Sequence, residues 1–279
     1  LAVDLGSTTV VARLFDCNTG KCLAEDSAYN RQIAFGTDIL TRIFYSKDQP
    51  EKLEELRRAA VGSIREVLEK LEKKTGIAPG GSIQLVLAGN TTMVHFFLGL
   101  DAFCVFQTPY AVQADRPGFL PAAELELPVS GYVYCYPGKS NYLGGDIISG
   151  MVATELYKKE GISVFFDIGT NGELVVGNRE FLLCGAGAAG PALEGGVVRT
   201  GMRASEGAVE RVKLTENGFE LGVIGGGRPE GICGSGIIDL LAELFLAGWI
   251  DLRGKFVPEK SEKIQEKDGM YAVEYAPGL

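Results

Sequence analysis

The sequence predicts an α/β fold built from two related domains, and three observations carry this prediction. Apolar strand-like runs and amphipathic helical segments follow one another along the chain, as in a sheet covered by helices. A strand, an Asp-x-Gly turn and a second strand occur around Asp4 and again around Asp167, 163 residues later, so the repeat has the size of a domain. The chain of 279 residues is 46% hydrophobic, which is enough for two cores. We therefore predict duplicated domains over residues 1–150 and 151–279.

The first elements along the chain are strands, and helices follow them. Leu1–Leu14 and Cys22–Tyr29 have the composition of strands, and the turn "NTGK" connects them. A short helical stretch is predicted around Asp38–Phe44. The segment Glu51–Lys74 places its apolar side chains on one face at helical spacing, and Gly76 follows it as a typical helix stop. We expect this long helix to be structural.

Strand and helix signals continue to the end of the chain. "IQLVLAGN" predicts a buried strand, and "NTTMVHFFLGL" predicts a helix capped by Asn90. The stretch Phe106–Gly138 contains prolines and glycines and is the least regular part, so we expect a long loop there. From Ile162 onward a strand, a turn and a second strand are predicted, and "GIIDLLAELFLAGW" predicts an amphipathic helix.

The charge balance excludes some classes of partner. The 27 basic and 36 acidic residues give a net charge of −9, so the sequence lacks the basic footprint of a nucleic-acid-binding protein and of a polybasic membrane-binding protein. No apolar run reaches the roughly 18–20 residues of a membrane-spanning helix, and the N-terminal residues do not resemble a signal peptide. We expect no nucleic acid and no membrane as partners, and a cytoplasmic location.

Cysteine and histidine offer little for catalysis in this chain. The six cysteines contain no C-x-x-C pair, so a zinc knuckle or a thioredoxin-type site is not predicted, and we expect reduced and mostly buried thiols. His95 is the only histidine and lies within an apolar helical segment, where we expect it to be packed. A mechanism that needs a catalytic histidine has little support.

The repeated turns have the chemistry of phosphate-binding loops. Gly6 and Gly169 each follow an aspartate at a strand end, where a residue without Cβ lets the backbone turn sharply and offer N–H groups to an oxyanion. Neighbouring residues add further contacts, and the predicted phosphate-binding set consists of Asp4, Gly6, Ser7, Thr8, Thr9, Gly169, Thr170, Asn171 and Gly172. The carboxylates of Asp4 and Asp167 suit a hydrated Mg²⁺, which takes one or two protein carboxylates beside phosphate oxygens. Two such hairpins that face each other could hold one polyphosphate from both sides.

The strings "DLGSTT" and "DIGTNGE" resemble the first and second phosphate motifs of the superfamily that contains sugar kinases, acetate kinase, Hsp70 and actin. This resemblance implies duplicated sugar kinase/Hsp70/actin-like α/β domains with nucleotide in the cleft between them. The kinases hold a catalytic carboxylate shortly before the second motif, where this chain has "YLGGDIISGMVATEL". Asp146 is therefore the analogous catalytic candidate beside Asp167, and a role for Asp146 as a helix N-cap is the alternative.

A narrower resemblance rests on long strings that cover nearly the whole chain: "GNTTMVHFFLGL", "FFDIGTNGELVVGN", "GAAGPALEGGVVRTGMRASEGAVERV" and "IGGGRPEGICGSGIIDLLAELFLAGWID". They resemble the C-terminal ATPase region of the reductive activators of corrinoid-dependent methyltransferases and of the corrinoid iron–sulfur protein. The family implies ATP and Mg²⁺ as ligands, a corrinoid protein or corrinoid iron–sulfur protein as partner, and ATP-driven electron transfer that restores cob(I)amide from cob(II)amide. It also implies an N-terminal plant-type [2Fe–2S] domain and a late adenosine-contacting glycine motif, both absent from this chain. We therefore expect the chain to be a piece of a longer protein.

Other functions stay open at this stage. Gly234, Ser235 and Gly236 begin a predicted helix and could contact a nucleotide, with a simple serine cap as the alternative. Cys184 precedes a run of small residues, which loosely resembles the activators of 2-hydroxyacyl-CoA dehydratases and leaves a homodimer open as the assembly. A small-molecule kinase would use Asp146 as a base toward its substrate. A nucleotide-regulated scaffold like actin or Hsp70 would bind partners without any redox effect.

Overall fold

The computed structural model describes residues 1–82, 84–169, 172–187, 198–267 and 269–279. The chain divides into two compact units, Leu1–Ala189 and Gly190–Leu279. Both contain strands and helices, and the predicted α/β class is confirmed. The boundary after residue 150 was predicted for the two related lobes and stays a prediction. The units divide further along the chain because the second Asp-x-Gly hairpin packs on a helix of the first unit.

The first unit is built on a mixed sheet with the strand order β3-β2-β1-β4-β6-β5. β1 pairs antiparallel with β2 on one side and parallel with β4 on the other, and β4 and β6 are also parallel. The two strands that enclose the first predicted phosphate turn therefore lie next to each other near the middle of the sheet. The strands are β1 (Ala2–Leu5), β2 (Thr9–Phe15), β3 (Cys22–Tyr29), β4 (Gln84–Gly89), β5 (Gly118–Pro121) and β6 (Tyr132–Cys135).

The helices of the first unit are α1 (Ile39–Ser46), α2 (Pro50–Thr75), α3 (Thr91–Leu98) and α4 (Gly145–Thr154). The long predicted helix is confirmed as α2, which starts with a proline in its first turn and ends at Gly76 in the left-handed conformation, with φ 71°. Its apolar face, including Leu56, Ile64 and Leu68, is fully buried in the core of this unit. The burial of this face, rather than intrinsic helix propensity, stabilises the helix.

Side-chain caps start two of these helices. The carboxylate of Asp38 accepts a hydrogen bond of 2.8 Å from the N–H of Thr41 at the start of α1. The side-chain oxygen of Asn90 accepts one of 2.9 Å from the N–H of Met93, so the predicted cap of α3 is confirmed. Each cap satisfies a backbone N–H that the helix itself leaves without a partner.

A second, antiparallel sheet of the first unit carries the second Asp-x-Gly motif. It has the order β7-β8-β9, with β7 (Ser163–Ile168), β8 (Gly172–Gly177) and β9 (Leu182–Gly187). α4 packs against β7, and Ile147 and Val175 are fully buried in this small core. A Cβ atom on Gly150 would lie 2.4 Å from the Phe165 ring, so a larger residue there would require this ring to move. The packing of α4 thus holds the second hairpin within the first unit.

The second unit combines a mixed sheet of order β11-β10-β12 with one helix on it and a separate hairpin. Its elements are β10 (Ala208–Thr215), β11 (Gly218–Val223), β12 (Gly231–Ile232), α5 (Gly234–Leu246), β13 (Ile264–Lys267) and β14 (Met270–Val273). Val209, Ile232 and Ile237 lie in its buried core together with Tyr275. The predicted amphipathic helix is thereby confirmed as α5.

The stretch Phe106–Gly138 contains the expected long loop, which runs up to β5. The strands β5 and β6, which were not predicted, lie later in the stretch and extend the sheet beyond β4. One expectation needs correction, because the thiols are not mostly buried. They are free, and Cys17, Cys22 and Cys184 are exposed, because the first two flank a hairpin turn and the third lies on an exposed strand. Among the described helices, none is both long and apolar enough to cross a membrane.

Candidate functional site: carboxylates between two Asp-x-Gly hairpins

The candidate site lies in the first unit, where β1 and β4 end beside each other. Leu5 is the register partner of Gly89 in the parallel pair, so the residues that follow both strands emerge at one edge of the sheet. The start of α4 is at the same edge. A Cβ atom on Gly144 would lie 2.5 Å from the Cα atom of Asn90, and only glycine permits this approach. This close packing brings Asp146, in the first turn of α4, near the turn between β1 and β2.

The first hairpin turn is tight and requires glycine at its start. The N–H of Gly6 donates a hydrogen bond of 3.1 Å to the carbonyl oxygen of Thr9. A Cβ atom on Gly6 would lie 2.5 Å from that oxygen, too close for any other residue. Ser7 is buried, while Thr8 and Thr9 are half-buried. The structure therefore places this predicted set at one turn, directly after Asp4.

A buried network of polar side chains forms hydrogen bonds to the backbone of this turn. The sequence did not predict this network. The side-chain amide of Asn30 donates to the carbonyl oxygen of Gly6 at 2.9 Å, and the backbone N–H of Asn30 donates to the carbonyl oxygen of Thr8 at 2.8 Å. Arg42 donates to the carbonyl oxygen of Ser7 at 2.8 Å. The carbonyls of consecutive turn residues are thus all held by buried side chains or by the backbone next to them.

The second hairpin has the same Asp-x-Gly order in β7 and β8. Asp167 lies near the end of β7, Gly169 in the turn is exposed, and Gly172 begins β8. A Cβ atom on Gly172 would make ordinary contact with the Phe166 ring, so space does not require glycine there. Thr170 and Asn171 of the predicted set lie outside the described residues.

A carboxylate cluster, defined as Asp4, Asp146, Asp167 and Glu173, surrounds these turns. Asp167 and Glu173 are register partners on the antiparallel strands β7 and β8, so their side chains share one face of this hairpin. Glu173 was not predicted, although the sequence contained a signal for it. Asp167 and Glu173 are equally far from residue 170 in the sequence, so a hairpin centred at that position places them opposite each other. The structure thus adds one carboxylate to the three expected from the sequence.

The electrostatics of the cluster show that its members lie close together. Removal from water and, secondarily, the charge of Asp167 raise the pKa of Asp4, although part of the Asp4 side chain is exposed. Desolvation is also the main cause that raises the pKa of Asp146 to about 6, and the charges of Asp167 and Asp4 add to it. Burial and the charges of Asp146 and Asp167 raise the pKa of Glu173 to about 7.

Among the described residues, no lysine or arginine neutralises this cluster. Within the described ranges, none of its members forms an ion pair with a lysine or an arginine. The part of the chain that the structure describes also contains no group of three His, Cys, Asp or Glu side chains that could hold a metal ion directly. The residues therefore fit a hydrated Mg²⁺ held by one or two carboxylates, which needs few protein ligands and offsets negative charge.

Asp146 is not the cap of its helix. The N-cap position of α4 is Gly144, and Asp146 lies two residues further on in the first helical turn. One of its oxygens accepts a hydrogen bond of 2.8 Å from the N–H of Ile147. The alternative role as an N-cap is therefore wrong, and its side chain belongs to the carboxylate cluster.

The predicted nucleotide contact at residues 234–236 lies in the second unit. Cys233, not Ser235, occupies the N-cap position of α5, so the alternative of a simple serine cap is wrong. A Cβ atom on Gly236 would lie 2.2 Å from the carbonyl oxygen of Val209. Close packing of α5 on β10 therefore explains this glycine. A nucleotide contact at Gly234 and Ser235 remains a prediction.

His95 is packed as predicted. It is fully buried, and its Nδ1 lies 2.7 Å from the carbonyl oxygen of Thr91. Its Nε2 accepts hydrogen bonds of 3.2 Å from the N–H of Gln113 and 3.4 Å from the N–H of Ala114. These contacts assign the neutral ring with the proton on Nδ1, and burial lowers the pKa of His95. Its role is to tie the loop before β5 to α3.

Comparison with known protein families identifies the chain. Residues 1–159 match the model of the RACo middle region, and residues 161–278 match the model of the C-terminal domain of RACo, the ASKHA domain. The chain belongs to the RACo family. ASKHA denotes the superfamily of acetate and sugar kinases, Hsp70 and actin, so the predicted resemblance of the chain to this superfamily is confirmed. This membership favours the narrower resemblance over the dehydratase activators and the small-molecule kinases.

Two RACo-like relatives extend this finding. The "Corrinoid activation enzyme RamQ" of Eubacterium limosum is 36% identical over 259 residues, which cover 92% of this chain and 43% of that protein. A solved structure titled "Reductive activator for corrinoid,iron-sulfur protein" is 42% identical with a TM-score of 0.80, and the similarity covers 97% of this chain and 44% of that one. The chain thus spans less than half the length of either relative.

Proposed function

We propose that this chain binds ATP with Mg²⁺ at the two Asp-x-Gly hairpins and hydrolyses it, as the nucleotide-driven part of a reductive activator of a corrinoid protein. The observation that carries the proposal is the carboxylate cluster between two phosphate-type turns, with no lysine or arginine paired to it among the described residues. The names of the two relatives supply the corrinoid protein as the partner class.

The turn at Gly6 would hold one side of the polyphosphate. Asn30 and Arg42 donate hydrogen bonds to two carbonyl oxygens of this turn. In a trans peptide, the N–H of the next residue points in the opposite direction from the carbonyl. The peptides after Gly6 and Ser7 therefore direct their N–H groups away from the buried network. Such a series of backbone N–H groups suits an anion. The turn at Gly169 would contact the polyphosphate from the other hairpin.

Asp4 and Asp167 would hold Mg²⁺, mainly through its water shell. Mg²⁺ supplies neutralisation of the phosphate charge and polarises the γ-phosphoryl group. Without such a cation, the cluster would place ATP next to several negative charges at neutral pH. The carboxylates therefore make binding depend on the complex of ATP with the metal and disfavour ATP alone.

Asp146 would act as the general base for the attacking water. Its oxygen takes a proton from the water as the water oxygen bonds to the γ-phosphorus and the bond from phosphorus to the β,γ-bridging oxygen breaks, which gives ADP and phosphate. A carboxylate with a pKa of about 6 is a better proton acceptor near neutral pH than an ordinary aspartate. The fixed turns position the phosphates, and no covalent intermediate with the protein is needed.

In the activator, ATP hydrolysis would drive the transfer of one electron to cob(II)amide of the partner, which gives cob(I)amide. The residues that the structure describes do not fit an iron–sulfur cluster. The exposed thiols Cys17 and Cys22 flank one turn, Cys184 lies on β9, and among the described residues no three candidate ligands come together. The electron carrier would then belong to the [2Fe–2S] domain that the family resemblance implies.

Asp167→Asn in the full-length protein tests the proposal. The variant removes a charge that holds Mg²⁺ and keeps the shape of the side chain, so we expect ATP hydrolysis to fall by about 10²-fold or more. Formation of cob(I)amide on the partner, followed by its visible spectrum, should fall in parallel. The matched control is Asp115→Asn at an exposed site, which should leave both rates unchanged. Normal ATP-dependent cob(I)amide formation by a variant that no longer hydrolyses ATP would refute the proposed coupling.

A further inference from the structure

Among the described residues, Arg42 is a buried cation with no carboxylate at ion-pair distance. It is fully inaccessible to solvent, although it lies on the short helix α1. Its guanidinium donates to the carbonyl oxygen of Ser7 at 2.8 Å, to that of Gly36 at 2.8 Å and to the side-chain oxygen of Gln32 at 3.3 Å. All these acceptors are uncharged. Among the residues that the structure describes, no carboxylate lies within ion-pair distance of it.

Such an arrangement costs free energy. A buried charge loses its hydration, and proteins usually pair it with an opposite charge. Burial lowers the pKa of Arg42 to about 10, even though the charge of Asp38 acts in the opposite direction. The side chain therefore remains a cation at pH 7. Among the described residues no carboxylate contacts this charge, so an anion that binds nearby would be attracted to it.

The position of Arg42 identifies where that anion binds. The Nη2 atom of Arg42 holds the carbonyl of Ser7, which belongs to the turn between β1 and β2. The N–H of Thr8 is part of the same trans peptide and lies on its opposite side. A hydrogen bond from a charged donor to the carbonyl polarises the peptide and makes its N–H a stronger donor. The cation therefore acts on the anion through one peptide group, without touching it.

Asn30 strengthens this geometry from the neighbouring peptide. Its side-chain nitrogen holds the carbonyl of Gly6, and its oxygen accepts from the N–H of Gln32 at 3.0 Å, which fixes the orientation of the amide. Asn30 and Arg42 therefore support consecutive peptides of one turn. Asn30 does so with a neutral group, whereas Arg42 does so with a charge.

We propose that Arg42 is a positioning residue of the first hairpin, which fixes the peptide between Ser7 and Thr8 and places an unpaired positive charge behind it to favour the polyphosphate of ATP. This inference rests on the proposed binding of ATP at the hairpins. The inference goes beyond that binding, because it assigns part of the affinity for nucleotide to a side chain that does not contact the ligand. It assigns to the same side chain a preference for the more highly charged nucleotide. The attraction between Arg42 and a bound anion is proportional to the charge of the anion. Salt screens this attraction little, because Arg42 is buried.

Three substitutions of Arg42 in the full-length protein separate its charge from its shape. Arg42→Lys keeps the charge, Arg42→Gln keeps a hydrogen-bond donor without charge, and Arg42→Met keeps neither. The matched control is Arg57→Met on α2, because Arg57 is also largely buried but its charge is paired with Glu54 and Glu126. Dissociation constants of Mg²⁺ complexes of ADP and of a non-hydrolysable ATP analogue would be measured by calorimetry, and folding would be checked by circular dichroism.

We expect Arg42→Gln and Arg42→Met to weaken binding of the ATP analogue by about tenfold or more and that of ADP by a smaller factor. Arg42→Lys should stay closer to wild type than either, and Arg57→Met should bind both nucleotides normally. If Arg42→Met does not fold, the comparison of the lysine and glutamine variants decides the question.

Two results would overturn the inference and leave the proposed function intact: wild-type affinity in the glutamine variant, or equal losses for both nucleotides in the lysine and glutamine variants. Equal losses would mean that Arg42 contributes shape only. Failure of the wild-type protein to bind any nucleotide with Mg²⁺ would instead refute the proposed function, and this inference with it.

Discussion

Asp167 and Glu173 lie directly opposite each other on the antiparallel strands β7 and β8. Two negative charges directly opposite each other on paired strands destabilise a hairpin. Glu173 is also buried, which adds to this cost. The pKa of Glu173 rises to about 7 because of this burial and the charges of Asp146 and Asp167. In the absence of a bound cation, the protein therefore keeps a pair of carboxyl groups that resist simultaneous ionisation. The proposed Mg²⁺ would relieve this repulsion on binding.

Glu173→Gln should stabilise the protein without ligand at neutral pH. The pKa of Glu173 is higher in the folded than in the unfolded state, so its contribution to stability is fully present below the ordinary value of 4.5 and is lost as the pH rises to about 7. The glutamine variant avoids this loss. We expect its thermal midpoint at pH 7.5 to exceed that of wild type by roughly 2–4 °C, which corresponds to about 1 kcal/mol.

The pH dependence separates this effect from a general change in packing. The difference between the two midpoints should shrink toward pH 5, where the glutamate is protonated in wild type. Glu180→Gln, which removes an exposed carboxylate near the β8–β9 turn, should show no difference at either pH. A glutamine variant that is less stable than wild type at pH 7.5 would contradict the charge-repulsion account.

Gly6→Ala should impair nucleotide binding without unfolding the protein. The new Cβ atom would lie 2.5 Å from the carbonyl oxygen of Thr9, so the turn must open and its N–H groups must move. We expect the affinity for the Mg²⁺ complex of ATP to fall by about tenfold or more, as measured by calorimetry. Gly81→Ala is the control, because nothing lies within 4 Å of a Cβ atom there. Unchanged affinity in Gly6→Ala would show that this turn does not hold the phosphates.

The parts of the fold that the sequence predicted are those with local signals. The helical period of α2, the stop at Gly76 and the cap Asn90 act within a few residues, and all three are confirmed. The strands β5 and β6 were missed because they are four residues long each and form only by pairing with β4 and with each other. Their stability comes from distant partners, which no local pattern contains.

The same distinction applies to the candidate site. Asp4, Asp146 and Asp167 were expected because they accompany recognisable motifs. Arg42 was missed because its significance depends on burial and on a hydrogen bond to a residue 35 positions earlier in the chain. In the sequence it is one arginine in a short amphipathic helix, where an exposed position is the ordinary expectation. Only the tertiary structure shows that Arg42 is buried and not exposed.

His95 should make the protein less stable in acid. Burial lowers the pKa of His95 in the folded state below the unfolded value of about 6.5, so its contribution to stability is present above that pH and is lost as the pH falls. Protonation at Nε2 would also break its hydrogen bonds with the N–H groups of Gln113 and Ala114. We expect hydrogen exchange at these two amides to accelerate between pH 7 and pH 5.5, beyond the intrinsic dependence on pH.

His95→Gln provides the comparison for this effect, because glutamine can accept a hydrogen bond but does not titrate. Its thermal midpoint should change less than that of wild type between pH 7 and pH 5.5. Equal slopes for both proteins would show that His95 does not control the acid sensitivity.

Asp146→Asn should abolish most of the ATP hydrolysis and leave binding intact. If Asp146 accepts the proton of the attacking water, kcat should fall by about 10²–10⁴-fold. KM should stay equal or decrease, because the variant removes a negative charge near the phosphates.

The proposed role of Asp146 as a general base also predicts how kcat depends on pH. Wild-type kcat should decrease as the pH falls toward and below about 6, where Asp146 becomes protonated, whereas the residual rate of the variant should lack this acidic limb. Phosphate release measured between pH 5 and pH 8 tests both statements on the same preparations. A wild-type kcat in Asp146→Asn would show that another group accepts the proton, and a high KM with normal kcat would indicate that Asp146 binds the metal or the substrate instead.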